Sequence, residues 1–301
     1  ALYKSIPFFI ALRNDCVYGI FFDNHFKTNF DMGYSSTDYY SFGAADGELD
    51  YYFFYGDTIA DIISQYTALT GRCPLPQLWT LGYHQSRWGY SSQQEVLDLA
   101  QNFIDNDLPC DVIHMDIDYM DNYKVFTVDK NRFPDLTALS DILHQKGIRL
   151  VTIIDPGTKV ENGYHMYEEG IKNNYFAQTP DGEVYENVVW PGDSVFPDYT
   201  SSIVRNWWGS QTKFLLDQGI SGIWNDMNEP ASFRGPLPDD VVFPGDDMPR
   251  QHKEVHNVFG HLMAKATYEG IKKNSGKRPF VITRACYSGT QKYSTAWTGD
   301  N

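Results

Sequence analysis

Basic residues are scarce in this 301-residue chain. Its 24 Lys and Arg stand against 39 Asp and Glu, a formal net charge of −15. No Lys/Arg-rich run offsets that balance, so nucleic acid or another polyanionic partner is not expected. Cysteine is scarce too. Cys16, Cys73, Cys110 and Cys286 are scattered, with no CxxC pair. That argues against a zinc site or a dense disulfide framework and for reduced, mostly buried thiols. No apolar run approaches the ~20 residues of a membrane span, so no membrane association is expected. The opening ALYKSIPFFIALRNDC is too short and too polar for a signal peptide. The sequence contains no Asn-x-Ser/Thr acceptor, although Asn, Ser and Thr are all frequent. That favours a protein never exposed to N-glycosylation. With the acidic composition it favours a bacterial cytoplasmic location, a secretory compartment being the alternative.

What is present is apolar and aromatic: 42% hydrophobic residues and 16% Phe, Trp and Tyr. This suffices for a sizeable core in one large or two smaller domains. Aromatic excess suits a ring-binding surface, but large cores use aromatics as well.

Residues 1–70 read as strands and turns, with PFFIAL, VYGIFF and LDYYFFYG separated by NDC, DNHF and AADGE. TGRCPLPQ reads as a linker. From residue 71 a unit recurs of helix, short break, apolar strand and polar residue. SSQQEVLDLAQNFI carries a capping-box pattern from Ser92 to Glu95, then a stripe of Val96, Leu99, Ala100, Phe103 and Ile104. The strands CDVIHMD, IRLVTIID, ISGIWND, RPFVITR and STAWTGD end at Asp116, Asp155, Asp226, Arg284 and Asp300. Apolar strands alternating with amphipathic helices predict an α/β fold with a covered parallel sheet. Polar residues at successive strand ends suit the mouth of a (β/α)8 TIM barrel. A doubly wound sheet is the rival, but LWTLGYHQS, the expected first strand, is followed by no GxGxxG loop. Strands are expected near 79, 112, 149, 220, 280 and 295, about six of eight barrel units. Insertions near 157–200 and 232–254 lie where long loops are usually functional.

The stretch ISGIWNDMNEP poses the chemical question, because an apolar strand runs straight into Asp226 and Glu229. Buried charge is costly unless paired or used. Two carboxylates at barrel-strand ends can cleave a glycosidic bond, one ionised as nucleophile and one protonated as general acid. Asp226 and Asp300 form the natural pair. Glu229 competes with Asp226 and reads as a support that hydrogen-bonds into the loop. A strand-end Asp can also simply cap the next helix. A magnesium site from Asp116, Asp155 and Asp226 stays open, whereas DIDYMD fails as an EF-hand because Asp121 and Thr127 stand where Gly and Glu are required. His84 and His114 read as core groups rather than metal ligands.

WNDMNEP strongly resembles the nucleophile signature of glycoside hydrolase family 31, in its α-glucosidase branch. LGYHQSRWGY, DVIHMDIDYMD, VTIIDPG, VVWPGDSVFPD and ITRACYSG…WTGDN resemble further family blocks, in family order. PFFI…VYGIFFDN resembles the end of the family's N-terminal β-sandwich, so the resemblance spans essentially the whole chain. It implies residues 1–70 as the last part of that sandwich and 71–301 as an incomplete catalytic barrel. It further implies Asp226 as nucleophile, Asp300 as acid/base, Asp116 as a holder of glucose hydroxyls and Arg284 as partner of sugar and nucleophile. Trp88, Ile153, Asp155, Trp190, Trp224, Met227 and Trp297 match pocket-wall positions. The expected activity is a retaining exo-α-glucosidase acting on oligosaccharides or small α-glucosides, without cofactor or metal. A related transglucosylase, lyase or α-xylosidase, or a carbohydrate-binding protein without catalysis, is the alternative, although WNDMNE departs from the xylosidase pattern. Trp88 lies near the +1 side and leans towards α-1,6-linked or short substrates. The family's histidine after the acid/base strand and two barrel units have no counterpart here. The chain is therefore expected to be a piece of a longer protein, inactive and not a soluble monomer on its own. A homo-oligomeric state is left open.

Overall fold

The computed structural model describes residues 3–13 and 16–299. The strand-rich start holds β1 (Lys4–Ser5), β2 (Phe8–Leu12), β3 (Val17–Phe22), β4 (Thr28–Asp31), β5 (Ser41–Ala44) and β6 (Tyr51–Gly56), then the helix α1 (Ile59–Thr70). β2, β3 and β6 form an antiparallel sheet, and β4 and β5 form a hairpin. Thr58 and Asp61 cap α1 reciprocally. The helix buries Ile62 and Tyr66 against Phe21 and Phe54, and the Tyr66 ring stacks on Phe8 at 4.0 Å.

The remainder alternates strand and helix: β7 (His84–Ser86), α2 (Gln93–Asp105), β8 (Val112–Met115), α3 (Leu136–Gln145) and β9 (Arg149–Ile154). A first insertion follows with β10 (Thr158–Lys159), α4 (His165–Asn173), β11 (Glu186–Val189) and β12 (Gly192–Val195). Then come α5 (Ser202–Leu216), β13 (Gly222–Asn225), a second insertion with β14 (Val242–Phe243) and β15 (Arg250–Gln251), α6 (His252–Ser275), β16 (Val281–Thr283), β17 (Cys286–Tyr287) and β18 (Thr295–Ala296). Among the described residues, β7, β8, β9, β13, β16 and β18 lie side by side in that order as a six-stranded parallel half-barrel. Among the described residues no helix is long and apolar enough to cross a membrane.

Side chains alternate along these strands, and the two faces differ in kind. Outward-facing Ile113, Met115, Leu150, Ile154, Ile223 and Val281 join Val96, Leu139, Trp208, Val255 and Phe259 of the helices in the main core. The opposite face gathers Val112, Val151, Phe280, Trp224 and Ile282. Of the expected α2 stripe, Val96 and Ala100 are fully buried, while Ile104 is exposed.

Two local expectations change. Leu78–Leu81 is a 3-10 turn rather than the start of the first strand. Its Thr80 N–H and hydroxyl both donate to the Gln77 carbonyl. Gly82 abuts the Asp111 carboxylate, which accepts from the Tyr83 N–H at 3.0 Å. Pairing with β8 therefore begins only at His84. The Ser92 cap forms by half: its hydroxyl accepts from the Glu95 N–H at 3.3 Å, but the Glu95 carboxylate takes the Ser91 N–H at 2.7 Å.

The insertions are not independent loops. β10, β12 and β11 form an antiparallel sheet, and Gln178 of the first insertion bridges to Val242 of the second. The Phe233 N–H donates to the Val188 carbonyl at 2.8 Å, and the Gly245 N–H to Asp198 at 2.7 Å.

Helices α5 and α6 cross at backbone contact through Gly209 and Gly270. A Cβ on Gly270 would stand 2.3 Å from the Gly209 carbonyl oxygen, and the obstacle is main chain that cannot swing away. Gly270→Ala should therefore destabilise the protein by about 1–3 kcal/mol through overpacking. Exposed Lys272→Ala on the same helix should change stability little. Equal denaturant midpoints for the two variants would show that the helices part without cost.

Candidate active site

The parallel register decides which side chains meet. Ile154, Asn225 and Thr283 are the last residues of β9, β13 and β16, paired in register. Asp155, Asp226 and Arg284 follow them directly. The ladder extends one step further, because the Asp226 N–H donates to the Ile154 carbonyl at 3.1 Å and the Arg284 N–H to the Asn225 carbonyl at 3.0 Å. Adjacent strands lie about 4.8 Å apart, so these three side chains are neighbours. Asp116 follows β8, beside β9. All four share the strand parity of His114, Ile153, Trp224 and Ile282, and so stand above those residues at the C-terminal mouth.

Asp226 and Arg284 form an ion pair, Nε to Oδ1 at 3.2 Å. Glu229 grips the same guanidinium in a fork: Arg284 Nε donates to Oε1 at 3.0 Å and a terminal nitrogen to Oε2 at 2.8 Å. The same edge also approaches the Met227 sulfur at 3.2 Å. The turn that brings Glu229 back is made by Met227 in the left-handed region, φ 54°, an uncommon conformation for a non-glycine residue. Asn228 fastens the turn, donating to the Thr283 hydroxyl at 2.9 Å and accepting from the Ala285 N–H at 3.0 Å. Helix α6 supports it from below, where a Cβ on Gly260 would meet the Asn228 carbonyl at 2.7 Å and the Ala285 carbonyl at 2.8 Å. Glu229, expected to hydrogen-bond into the loop, thus acts through Arg284.

Asp155 is buried, and burial first, then the neighbouring Asp226 charge, pushes its carboxyl well above the usual range. Arg284 opposes that shift, while Asp116 and Glu229 add to it. Asp155 was matched above to a pocket-wall position. The shift is towards the neutral acid, a form that can donate as well as accept. Its Oδ1 is buried without a hydrogen-bond partner among the described residues, which leaves that oxygen open to water or a ligand.

Asp116 accepts from the Ile117 N–H at 2.7 Å and starts the 3-10 turn Ile117–Tyr119. The helix-capping reading of a strand-end Asp therefore holds for this one, alongside its place beside Asp155. The other acids of DIDYMD are engaged elsewhere, Asp118 with Arg132 at 3.4 Å and Asp121 with Lys124 at 2.9 Å. Among the described residues no three His, Cys, Asp or Glu side chains are gathered as metal ligands would be. Asp300 lies outside the described residues, so its separation from Asp226 is not part of this geometry.

The aromatic positions divide into two groups. Trp88 and Trp190 lie 5.3 Å apart at the rim, and Trp190 meets Phe233 edge-on at 4.8 Å. Phe233 was missed by sequence reasoning; its position seven residues past Asp226 was the available signal. Trp224 and Trp297 meet at 5.5 Å deeper in. They line a cavity of about 520 Å³ with His84, His114, Phe280 and Leu75. Among the described residues no carboxylate lines that cavity, which lies along the inner face of the sheet below the acidic cluster. His84 and His114 pair there, nitrogen to nitrogen at 2.9 Å. Ile153 is buried, and its carbonyl accepts from the Tyr119 hydroxyl at 2.8 Å.

Comparison with known proteins gives the geometry a context. The model of the glycosyl hydrolases family 31 TIM-barrel domain matches residues 73–301, and that of the glycosyl hydrolase 31 N-terminal galactose mutarotase-like domain matches residues 1–31. "Alpha-glucosidase 2" of Bacillus thermoamyloliquefaciens is 53% identical over 303 residues, covering 100% of this chain and 38% of that protein. Human "Neutral alpha-glucosidase AB" is 36% identical over 330 residues, covering 100% of this chain and 34% of that protein. A crystal structure of a glucosidase II alpha subunit, in a Glc1Man2-bound form, superposes with a TM-score of 0.91 at 37% identity, covering 99% of this chain and 34% of that one. The chain thus spans between 34% and 38% of the length of these relatives.

The raised Asp155 carboxyl makes stability depend on pH in a defined direction. The folded chain keeps this proton at pH values where an unfolded Asp, with a pKa of about 3.9, has lost it. The stability tied to that proton is full below about pH 4 and is lost as pH rises through the folded value. Asp155→Asn should remove this dependence. Without sugar, the variant's thermal midpoint should gain on the unmodified protein's between pH 5 and pH 8. Parallel profiles would mean that Asp155 ionises normally.

Proposed function

The chain belongs to glycoside hydrolase family 31, and on that premise we propose that it carries the nucleophile side of a retaining exo-α-glucosidase. The substrate would be an oligosaccharide or small α-glucoside with glucose at its non-reducing end. The observation that carries this reading is Asp226 at a barrel-strand end, tied to Arg284 beside a buried, protonation-prone Asp155. An ionised Asp226 held by a guanidinium can stabilise an oxocarbenium-like transition state and then bond to the anomeric carbon. Asp300 would give its proton to the glycosidic oxygen as that bond breaks. Water would then attack the glycosyl ester, losing a proton to Asp300 and releasing glucose with its α configuration retained. Asp155 and Asp116 would meet the sugar hydroxyls, which an apolar wall cannot satisfy. Trp88, Trp190 and Phe233 would form the outer wall, towards the reducing side of the scissile bond. We further propose short or α-1,6-linked substrates and a bacterial cytoplasmic setting, on the strength of Trp88 and of the missing glycosylation acceptors.

The decisive variants address the two acids in the protein as its source makes it. Asp226→Asn should abolish hydrolysis of every α-glucoside while the fold survives. Asp300→Asn should cripple turnover of poor leaving groups yet leave a measurable first step on an activated aryl glucoside, which needs little protonation. NMR of the products should show the α-anomer first. Early β-anomer, or equal residual activity of both variants on the aryl substrate, would sink the assignment.

A further inference from the structure

Arg284 is covered on one face by a residue from the opposite end of the chain. The Tyr3 ring lies 4.7 Å from the guanidinium carbon. It is fixed there by backbone rather than chance, because the Tyr3 carbonyl accepts from the Cys286 N–H at 3.1 Å. β1 then pairs in parallel with β17, Lys4 opposite Cys286 and Ser5 opposite Tyr287. The strand-rich unit therefore adds its first strand to the segment directly after Arg284. Asn257 of α6 anchors the same unit again, donating to the His25 carbonyl at 2.9 Å.

A guanidinium binds in two modes at once. Its N–H groups donate in the plane, and its flat faces stack on aromatic rings. In Arg284, Asp226 and Glu229 take in-plane contacts. Tyr3 takes a face. Behind them, Tyr3, Lys4, Ser5, Glu229, His256 and Ala285 line a small cavity of about 10 Å³, room for roughly one water. The ring thus lies against one face of a guanidinium whose ion pairs are stronger the drier they are.

We propose that Tyr3 is a positioning residue for the reaction: it clamps Arg284 so that the guanidinium is held against Asp226, making the strand-rich unit a working part of the site. This rests on the glucosidase reading above. The ring rather than the hydroxyl is the active feature, so Tyr3→Phe should behave as the unmodified protein within about two-fold. Tyr3→Leu keeps an apolar side chain but has no π face. It should lower kcat about ten-fold, between what an exposed and a fully desolvated cation–π contact contribute, with KM changed less than about two-fold.

A second readout needs no substrate. The Arg284 Nε–H resonance, assigned by its disappearance in Arg284→Lys, should exchange slowly in the unmodified and phenylalanine proteins and markedly faster in Tyr3→Leu. Tyr3→Gln repeats both measurements if the leucine variant does not fold. Three results would overturn the proposal: unchanged kinetics and exchange in the variant lacking a ring, equal losses in the phenylalanine and leucine variants, or a lowered Tm with kcat and exchange unchanged. If the unmodified protein hydrolyses no α-glucoside, the glucosidase reading falls, and the exchange comparison alone decides whether Tyr3 holds Arg284.

Discussion

The ion pairs of Arg284 organise the mouth of this half-barrel. Parallel strand ends bring Asp116, Asp155 and Asp226 together, and the turn after β13 adds Glu229. Four acids at such a place repel one another and resist leaving water. Two devices resolve the conflict. One guanidinium is shared between Asp226 and Glu229. Asp155, the most deeply buried of the acids, is pushed towards its neutral form. Removing Arg284 would leave Asp226 and Glu229 as buried carboxylates without their cation, which is far costlier than losing a surface pair.

The scaffold serves that arrangement through register. β13 sits between β9 and β16, so Asp226 is flanked by Asp155 on one side and Arg284 on the other. Slipping one strand by a single residue would turn these side chains towards the helices and expose the core face. Apolar outward positions such as Ile154, Ile223 and Val281 therefore fix the chemistry as firmly as the polar residues do. Gly260 contributes by absence: the lack of a side chain lets α6 lie directly under the Asn228 and Ala285 carbonyls.

These relations were unevenly legible in the sequence. Helical stripes and apolar strands carry their own periodicity, so the parallel sheet and the strand-end residues could be read from local pattern. The first strand could not, because LWTLGYHQS is apolar enough for either state. What decides it is Asp111, some thirty residues on, which holds Tyr83 and crowds Gly82. In DIDYMD three acids look alike in sequence, and only the positions of Arg132 and Lys124 separate Asp118 and Asp121 from Asp116. Phe233 and Tyr3 went unread for the same reason. Each is an ordinary aromatic until a distant segment, Trp190 or Arg284, is folded against it. Asp300 was readable from its motif but lies outside the described residues.

The layer below the acids adds no positive charge of its own. His114 and His84 occupy the strand positions beneath the mouth and hydrogen-bond to each other. Burial, with His84 beside it, drives the His114 pKa down to about 3, and burial lowers His84 too. Both rings are therefore neutral at physiological pH, next to Trp224 and the apolar inner face. Neither ring therefore adds positive charge beneath Asp116, Asp155 and Asp226. Arg284 supplies a positive charge paired with Asp226 and shares it with Glu229. The Tyr3 ring against its face links the position of that charge to the strand-rich unit.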